Sequence, residues 1–188
     1  MEAARDRLRR LLEPVHDKAV AFARHVSRSR SDGDDLYQEA VLRALAKLDT
    51  LRDDALFRPW LFRVVISVHR NRCRRAFWRR FVPFGDGTAG DGSVDERDYR
   101  SHDWTPAAAH AATRARAALA TLPADQREAI ALFEIEGWTV DEIAALYEVS
   151  ASAIKSRLSR GRAAMRAHYE AASNGTPALG ARVRGQSP

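Results

Sequence analysis

Two small all-α domains joined by a flexible linker is the architecture this sequence predicts, and three observations carry it. Apolar residues recur at the three- and four-residue spacing of a helix face in both halves of the chain. Between the halves, 85–104 reads GDGTAGDGSVDERDYRSHDW, rich in Gly, Asp and Ser, with no period that could be buried. Near the C-terminal end, a short capped helix, a tight turn and a cationic helix follow one another. At 188 residues, the chain suits one medium domain or two small ones.

The elements follow in order. Pro14 suits the first turn of a helix bearing Val15, Ala19, Phe22, Ala23 and Val26 on one side. Ser31 and Asp32 are candidate caps for DDLYQEAVLRALAKL, whose apolar face is Leu36, Ala40, Val41, Ala44, Leu45 and Leu48. Asp35, Gln38, Glu39 and Arg43 occupy the other face. The run FRPWLFRVVISVHRNRCRRAFWRRF is ambiguous at Val64, Val65 and Ile66, which would also suit a buried strand. Its length without Gly or Pro after Pro59 decides for a helix, with Leu61, Val64, Val65 and Val68 as the apolar stripe. Arg63, Ser67, Arg70, Asn71 and Arg74 then form an opposed cationic front.

After the linker, Thr105 and Pro106 open an Ala-rich helix to about Ala120. Leu122-Pro123 begins a second, with Ile130, Leu132, Phe133 and Ile135 apolar and Gly137 ending it. Thr139 and Glu142 have capping-box spacing for a short helix to about Tyr147, and Ser150 caps the next. Ile154, Leu158 and Met165 face inward on that last helix, while Ser152, Lys155, Ser156, Arg157, Ser159, Arg160 and Arg162 do not. Glu148 stands in the turn, where Gly often supplies a positive φ. The stretch from Ser173, with turn formers and few large apolar groups, reads as a disordered tail.

Charge and chemistry narrow the function. The net charge is +6, with 19 Lys and Arg against 11 Asp and Glu through Phe84. From Ala55 to Gly85 there are eight arginines and no acid, a pattern that points to a polyanionic partner. Phe57, Trp60 and Leu61 suit the core of that segment, whereas Phe77, Trp78 and Phe81 fall among the arginines and could meet bases. The helix-turn-helix would place its second helix in a major groove, where Arg and Lys reach base edges and phosphates. The six histidines are dispersed without metal-ligand spacing, and Cys73 is a lone thiol, so no catalytic residue, metal site or cofactor is expected. No segment has the apolar core of a signal peptide or the ~18 apolar residues of a membrane span, so a cytoplasmic protein without membrane insertion is expected.

DDLYQEAVLRAL, then FRPWLFRVVISVHRNRCRR, then LATLPADQREAIALFEIEGWTVDEIAALYEVSASAIKSRLSRGRAAMR resembles a bacterial sigma factor of the extracytoplasmic-function group of the sigma-70 family. The resemblance implies a three-helix region 2-like domain in 1–84, a linker in 85–104, a region 4-like domain in 105–172 and a tail in 173–188. It implies that Asp35, Gln38, Glu39 and Arg43 bind core RNA polymerase. By the same carry-over, the loop 49–56 and Arg63, Ser67, Arg70, Asn71 and Arg74 recognise and open the minus-ten element. The minus-35 element then belongs to Ser152, Lys155, Ser156, Arg157, Ser159, Arg160 and Arg162. Ser67 stands where the family usually has Asn, and Asn71 where it often has Asp, both on the face to which the resemblance assigns base reading. An anti-sigma factor is the further implied partner. The alternative, a regulator with a LuxR-type helix-turn-helix binding operators, would account for the C-terminal half only.

Overall fold

The computed structural model describes residues 2–79 and 105–174. The expected linker, the tail beyond 174 and the side chains of Phe77, Trp78 and Phe81 therefore lie outside the described residues. Among those described, every regular element is helical: α1 (Glu2–Leu12), α2 (His16–Val26), α3 (Arg30–Ala46) and α4 (Phe57–Arg79) in the first half, then α5 (Pro106–Ala120), α6 (Ala124–Ile130), α7 (Val140–Tyr147) and α8 (Ala151–Asn174).

The N-terminal module has one helix more than the three expected. α1 docks through Leu8, and its Arg7 donates to the Leu51 carbonyl at 3.0 Å and pairs with Asp54 at 2.6 Å, holding the loop ahead of α4. Pro14 sits in a single 3-10 turn between α1 and α2, where its missing N–H costs nothing. α2 buries Ala19, Phe22, Ala23 and Val26, the stripe its spacing predicts. α3 is capped by Ser29, whose hydroxyl accepts from the Asp32 amide, two residues earlier than a cap at Ser31. Gly33 lets α2 and α3 meet: a Cβ there would stand 2.5 Å from the Arg24 Cα.

α4 is a single long helix through Val64-Val65-Ile66. Leu61, Val65 and Val68 are fully buried, as a helical stripe requires, but so is Phe62, and Ile66 and His69 are nearly so. Phe62, Ile66 and His69 recur at i, i+4 and i+7, so α4 has a second covered side. The C-terminal module covers it. The Phe62 ring lies between Phe22, with centroids 5.2 Å apart, and Trp138 of the other module, at 5.1 Å.

In that module α6 passes into a π-helical turn, Ala131–Ile135, and Gly137 at φ 70° reverses the chain. The widened turn leaves Ile135, one of the apolar residues of that run, 44% exposed beside an apolar groove that also holds Leu119, Ile130 and Met165. The Thr139 capping box forms in full: the Glu142 amide donates to Oγ1 at 3.2 Å and the Glu142 carboxylate accepts from the Thr139 amide at 2.7 Å. Ile143, Ile154 and Leu158 close the small core. α8 continues well past Arg162 to Asn174.

Candidate nucleic-acid interface

Three polar faces carry the sequence-predicted site residues. On α3, Asp35 and Gln38 are exposed, while Glu39 is tied down by Arg43 at 2.6 Å and by Arg72 of α4 at 2.8 Å. Arg72 also donates to the Asp35 carbonyl at 2.9 Å, so one guanidinium pins α3 to α4. Leu42, 68% exposed, completes this face at i+7 from Asp35 and i+4 from Gln38. Sequence reasoning passed over it because it lies off the apolar stripe. An uncovered leucine amid a polar stripe gives that face an apolar centre.

On the front of α4 the five expected residues divide. Ser67 and Arg74 are exposed, and Arg74 donates to the Asn71 side-chain Oδ1 at 2.9 Å. Arg63 and Arg70 instead reach the C-terminal module. Arg63 donates to the Ala145 carbonyl at 3.2 Å and pairs with Glu148 at 3.1 Å, while Arg70 donates to Glu128 at 3.2 Å and lies 4.6 Å over the Tyr147 ring.

Glu128 is the centre of this junction and was not singled out in the sequence. Its carboxylate is wholly buried. Oε1 accepts from His69 Nδ1 at 2.7 Å, and Oε2 from Arg70 and, at 2.9 Å, from the Tyr147 hydroxyl. A carboxylate taken out of water needs this many donors to stay charged. Burial opposes the charged form of His69, but hydrogen bonds to Cys73 and Glu128 and the Glu128 charge outweigh it, raising its pKa to about 9. The Cys73 thiol, 3.5 Å from His69 Nε2, is held below its ordinary value chiefly by that same hydrogen bond. The adjacent Arg127 is also buried and crosses the junction, donating at 2.9 Å to the Val26 carbonyl at the end of α2. No local signal could have found Glu128, because two of its three partners lie 58 and 59 positions away.

On α8, Ser152, Lys155, Ser156, Ser159 and Arg160 are exposed together. Ile154 and Leu158 anchor the opposite side in the core, and Ser150 caps the helix start, its hydroxyl accepting from the Ala153 amide at 3.2 Å. Arg157 and Arg162 differ from the rest. Arg157 packs 5.3 Å over the Tyr147 ring with Asp125 at 3.5 Å, and Arg162 pairs with Glu134 at 2.6 Å while covering Phe133. The turn ahead of α8 holds Glu148 at φ 56°, the left-handed conformation a glycine would take without strain. Among the described residues no cluster of His, Cys, Asp and Glu has the arrangement of a metal site, and no helix is long and apolar enough to cross a membrane.

Residues 11–79 match the sigma-70 region 2 family model and residues 112–165 match sigma-70 region 4. The chain is 33% identical over 147 residues to the ECF RNA polymerase sigma factor EcfG of Rhodopseudomonas palustris, covering 78% of this chain and 76% of that protein. It is 31% identical to the ECF RNA polymerase sigma factor SigM of Mycobacterium tuberculosis over 148 residues, 79% of this chain and 69% of that one. Among solved structures it is similar to the sigma factor RpoE in complex with the anti-sigma factor NepR from Bartonella quintana. The TM-score is 0.61 at 28% identity, over 86% of this chain and 96% of that chain.

Proposed function

The chain belongs to the extracytoplasmic-function group of sigma-70 family RNA polymerase sigma factors, and on that premise we propose how its helices divide the work of promoter selection. It is a transcription initiation factor and not an enzyme. The observation that carries the reading is the presence of regions 2 and 4 in order on one chain, each with a polar face that its own core does not bury. A LuxR-type operator-binding regulator leaves residues 11–79 without a role.

Core polymerase docks on α3 through Asp35, Gln38, Glu39 and Arg43, with Leu42 as the apolar contact among them. An interface of this kind wants a desolvated apolar centre within a polar rim, and the exposed leucine supports that anatomy. The minus-ten element meets loop 49–56 and the front of α4, where Arg63, Arg70 and Arg74 supply phosphate contacts and Ser67 and Asn71 short hydrogen-bonding groups. The minus-35 element is read from the major groove by α8. Ser156, Ser159 and Arg160 face the bases, while Ser152 and Lys155 sit where phosphates lie. Arg157 and Arg162 act there by bracing α8, given their pairs with Asp125 and Glu134. The protein works in the cytoplasm with polymerase and promoter DNA, and an anti-sigma factor is its expected inhibitor, as NepR accompanies the Bartonella quintana RpoE.

Run-off transcription with core polymerase over a pooled promoter library tests this reading. Adding the chain should create discrete start sites preceded by one shared pair of spaced elements. An unchanged transcript set would overturn it.

A further inference from the structure

We propose that Glu128 is the latch of a self-closed resting state, in which region 4 occupies the minus-ten face of α4 and leaves the reading face of α8 open. The DNA half of this inference rests on the assignment of α4 and α8 proposed above. The latch itself rests on geometry alone.

The junction is built as a core, not as a chance surface contact. A wholly buried carboxylate takes one donor from its own module, Tyr147, and two from α4, His69 and Arg70. If the modules part, water must replace both α4 donors, so the carboxylate is complementary to α4 in particular. Arg127 sends its second anchor to the Val26 carbonyl at the α2 terminus, a helix-end acceptor of the kind that needs a partner from outside the helix. Phe62 and Trp138 pack against each other with their rings tilted by 46°, and Arg58 lies 4.8 Å over the Trp138 ring. Polar specificity at the centre and aromatic contact beside it describe a defined docking geometry.

Closure acts unequally on the two DNA faces. Arg63, Ser67 and Arg70 lie on one side of α4 at i, i+4 and i+7, and the two arginines are engaged by Ala145, Glu148, Glu128 and Tyr147. The helix-turn-helix turn thus stands over the start of that face. Lys155, Ser156, Ser159 and Arg160 face solvent on the same module. Region 4 is therefore an intramolecular competitor of the minus-ten strand, and the closed protein can still meet a minus-35 duplex. Opening converts a duplex-reading form into one that also holds the opened strand.

The test uses the full chain in a Cys73→Ser background, with spin labels on Asp49→Cys and Ser159→Cys reporting the separation of the modules. A single narrow distance distribution is expected without any partner, and a broad, longer one for Glu128→Gln. Arg70→Ala, changed on a partly exposed side chain, should broaden it as well if the buried variant misfolds. Two modules moving independently in the parent protein, or no response to either substitution, would overturn the latch. Binding is then read separately by fluorescence anisotropy. Glu128→Gln should bind a minus-ten single-stranded oligonucleotide about tenfold more tightly than the parent. In the Cys73→Ser background, Arg63→Cys with Glu148→Cys should lose that binding once joined by a short bismaleimide, relative to the same double variant left unlinked, and keep its minus-35 duplex affinity within about twofold. If the modules open as expected while minus-ten affinity stays constant, occlusion is refuted and the latch is structural only. If no form binds either DNA, the assignment of the faces fails while the distance result stands.

Discussion

α4 and α8 both present arginine-rich fronts opposite an apolar back, and their sequences announce the same use. In the folded chain they differ. Arg63 and Arg70 of α4 are engaged by carbonyls and carboxylates of the other module, whereas Lys155, Ser156, Ser159 and Arg160 of α8 stand free of carboxylates. An acid-free stretch of sequence is thus not the same as an acid-free surface, since the acids that answer Arg63 and Arg70 arrive from positions 148 and 128. Even within α8 the lesson repeats, because Glu134 and Asp125 draw Arg162 and Arg157 away from the groove side.

The comparison breaks most decisively at its shared core. Phe62→Ala removes a fully buried ring wedged between Phe22 and Trp138, and should cost about 3–5 kcal/mol in urea unfolding. A loss below about 1 kcal/mol would mean that the ring does not join the modules.

Next in size is the effect of pH on the α4 side alone. His69 is raised from 6.5 to about 9, so its contribution to the closed form is complete below about pH 6.5 and disappears as the pH rises through about 9. The shift sets an upper bound of about 3 kcal/mol. Glu128 and Cys73 act on the imidazole directly, with Arg70 and Tyr147 bonded to Glu128 and Arg127 acting on Cys73, and the Cys73 thiol, lowered by its hydrogen bond to His69, offsets part of the loss. Stability measured from pH 6 to 10 should fall in this window for the parent and stay flatter for His69→Gln. Equal slopes would remove His69 from the junction.

On α8, Arg160→Ala should cost about 1–3 kcal/mol on the preferred minus-35 sequence and blur discrimination at one or two base pairs. Arg162→Ala should weaken all sequences alike and by less, since its guanidinium is held by Glu134. Duplex titrations of the full chain across a salt series separate the two. If Arg162→Ala were the more damaging at the preferred site, the pairing with Glu134 would have to open on DNA.

The smallest expected effect sharpens the turn between the two faces. Glu148→Gly relieves a left-handed residue, worth about 1 kcal/mol, and removes an exposed pair with Arg63 worth about 0–1 kcal/mol. Thermal unfolding should shift upward slightly or not at all. A clear loss of stability would show that the Arg63 pair matters more than its exposure suggests.

Much of the architecture was decided by local chemistry that one sequence displays. The α2 stripe, the Thr139 capping box, the Ser150 cap, the helix-turn-helix and the two-module plan all depend on residues within a few positions of one another, and helical periodicity makes them readable. Helix α1 was legible in principle, yet its docking depends on Arg7 meeting Leu51 and Asp54, 44 and 47 positions on. Only the tertiary structure decided which cations are free, that Phe62 and His69 form a second covered side of α4, and that Glu128 is buried. The physical reason is that a charged side chain reads alike in sequence whether solvated or paired. Its state is set by partners such as Val26 for Arg127, 101 residues away, which only packing brings within 2.9 Å.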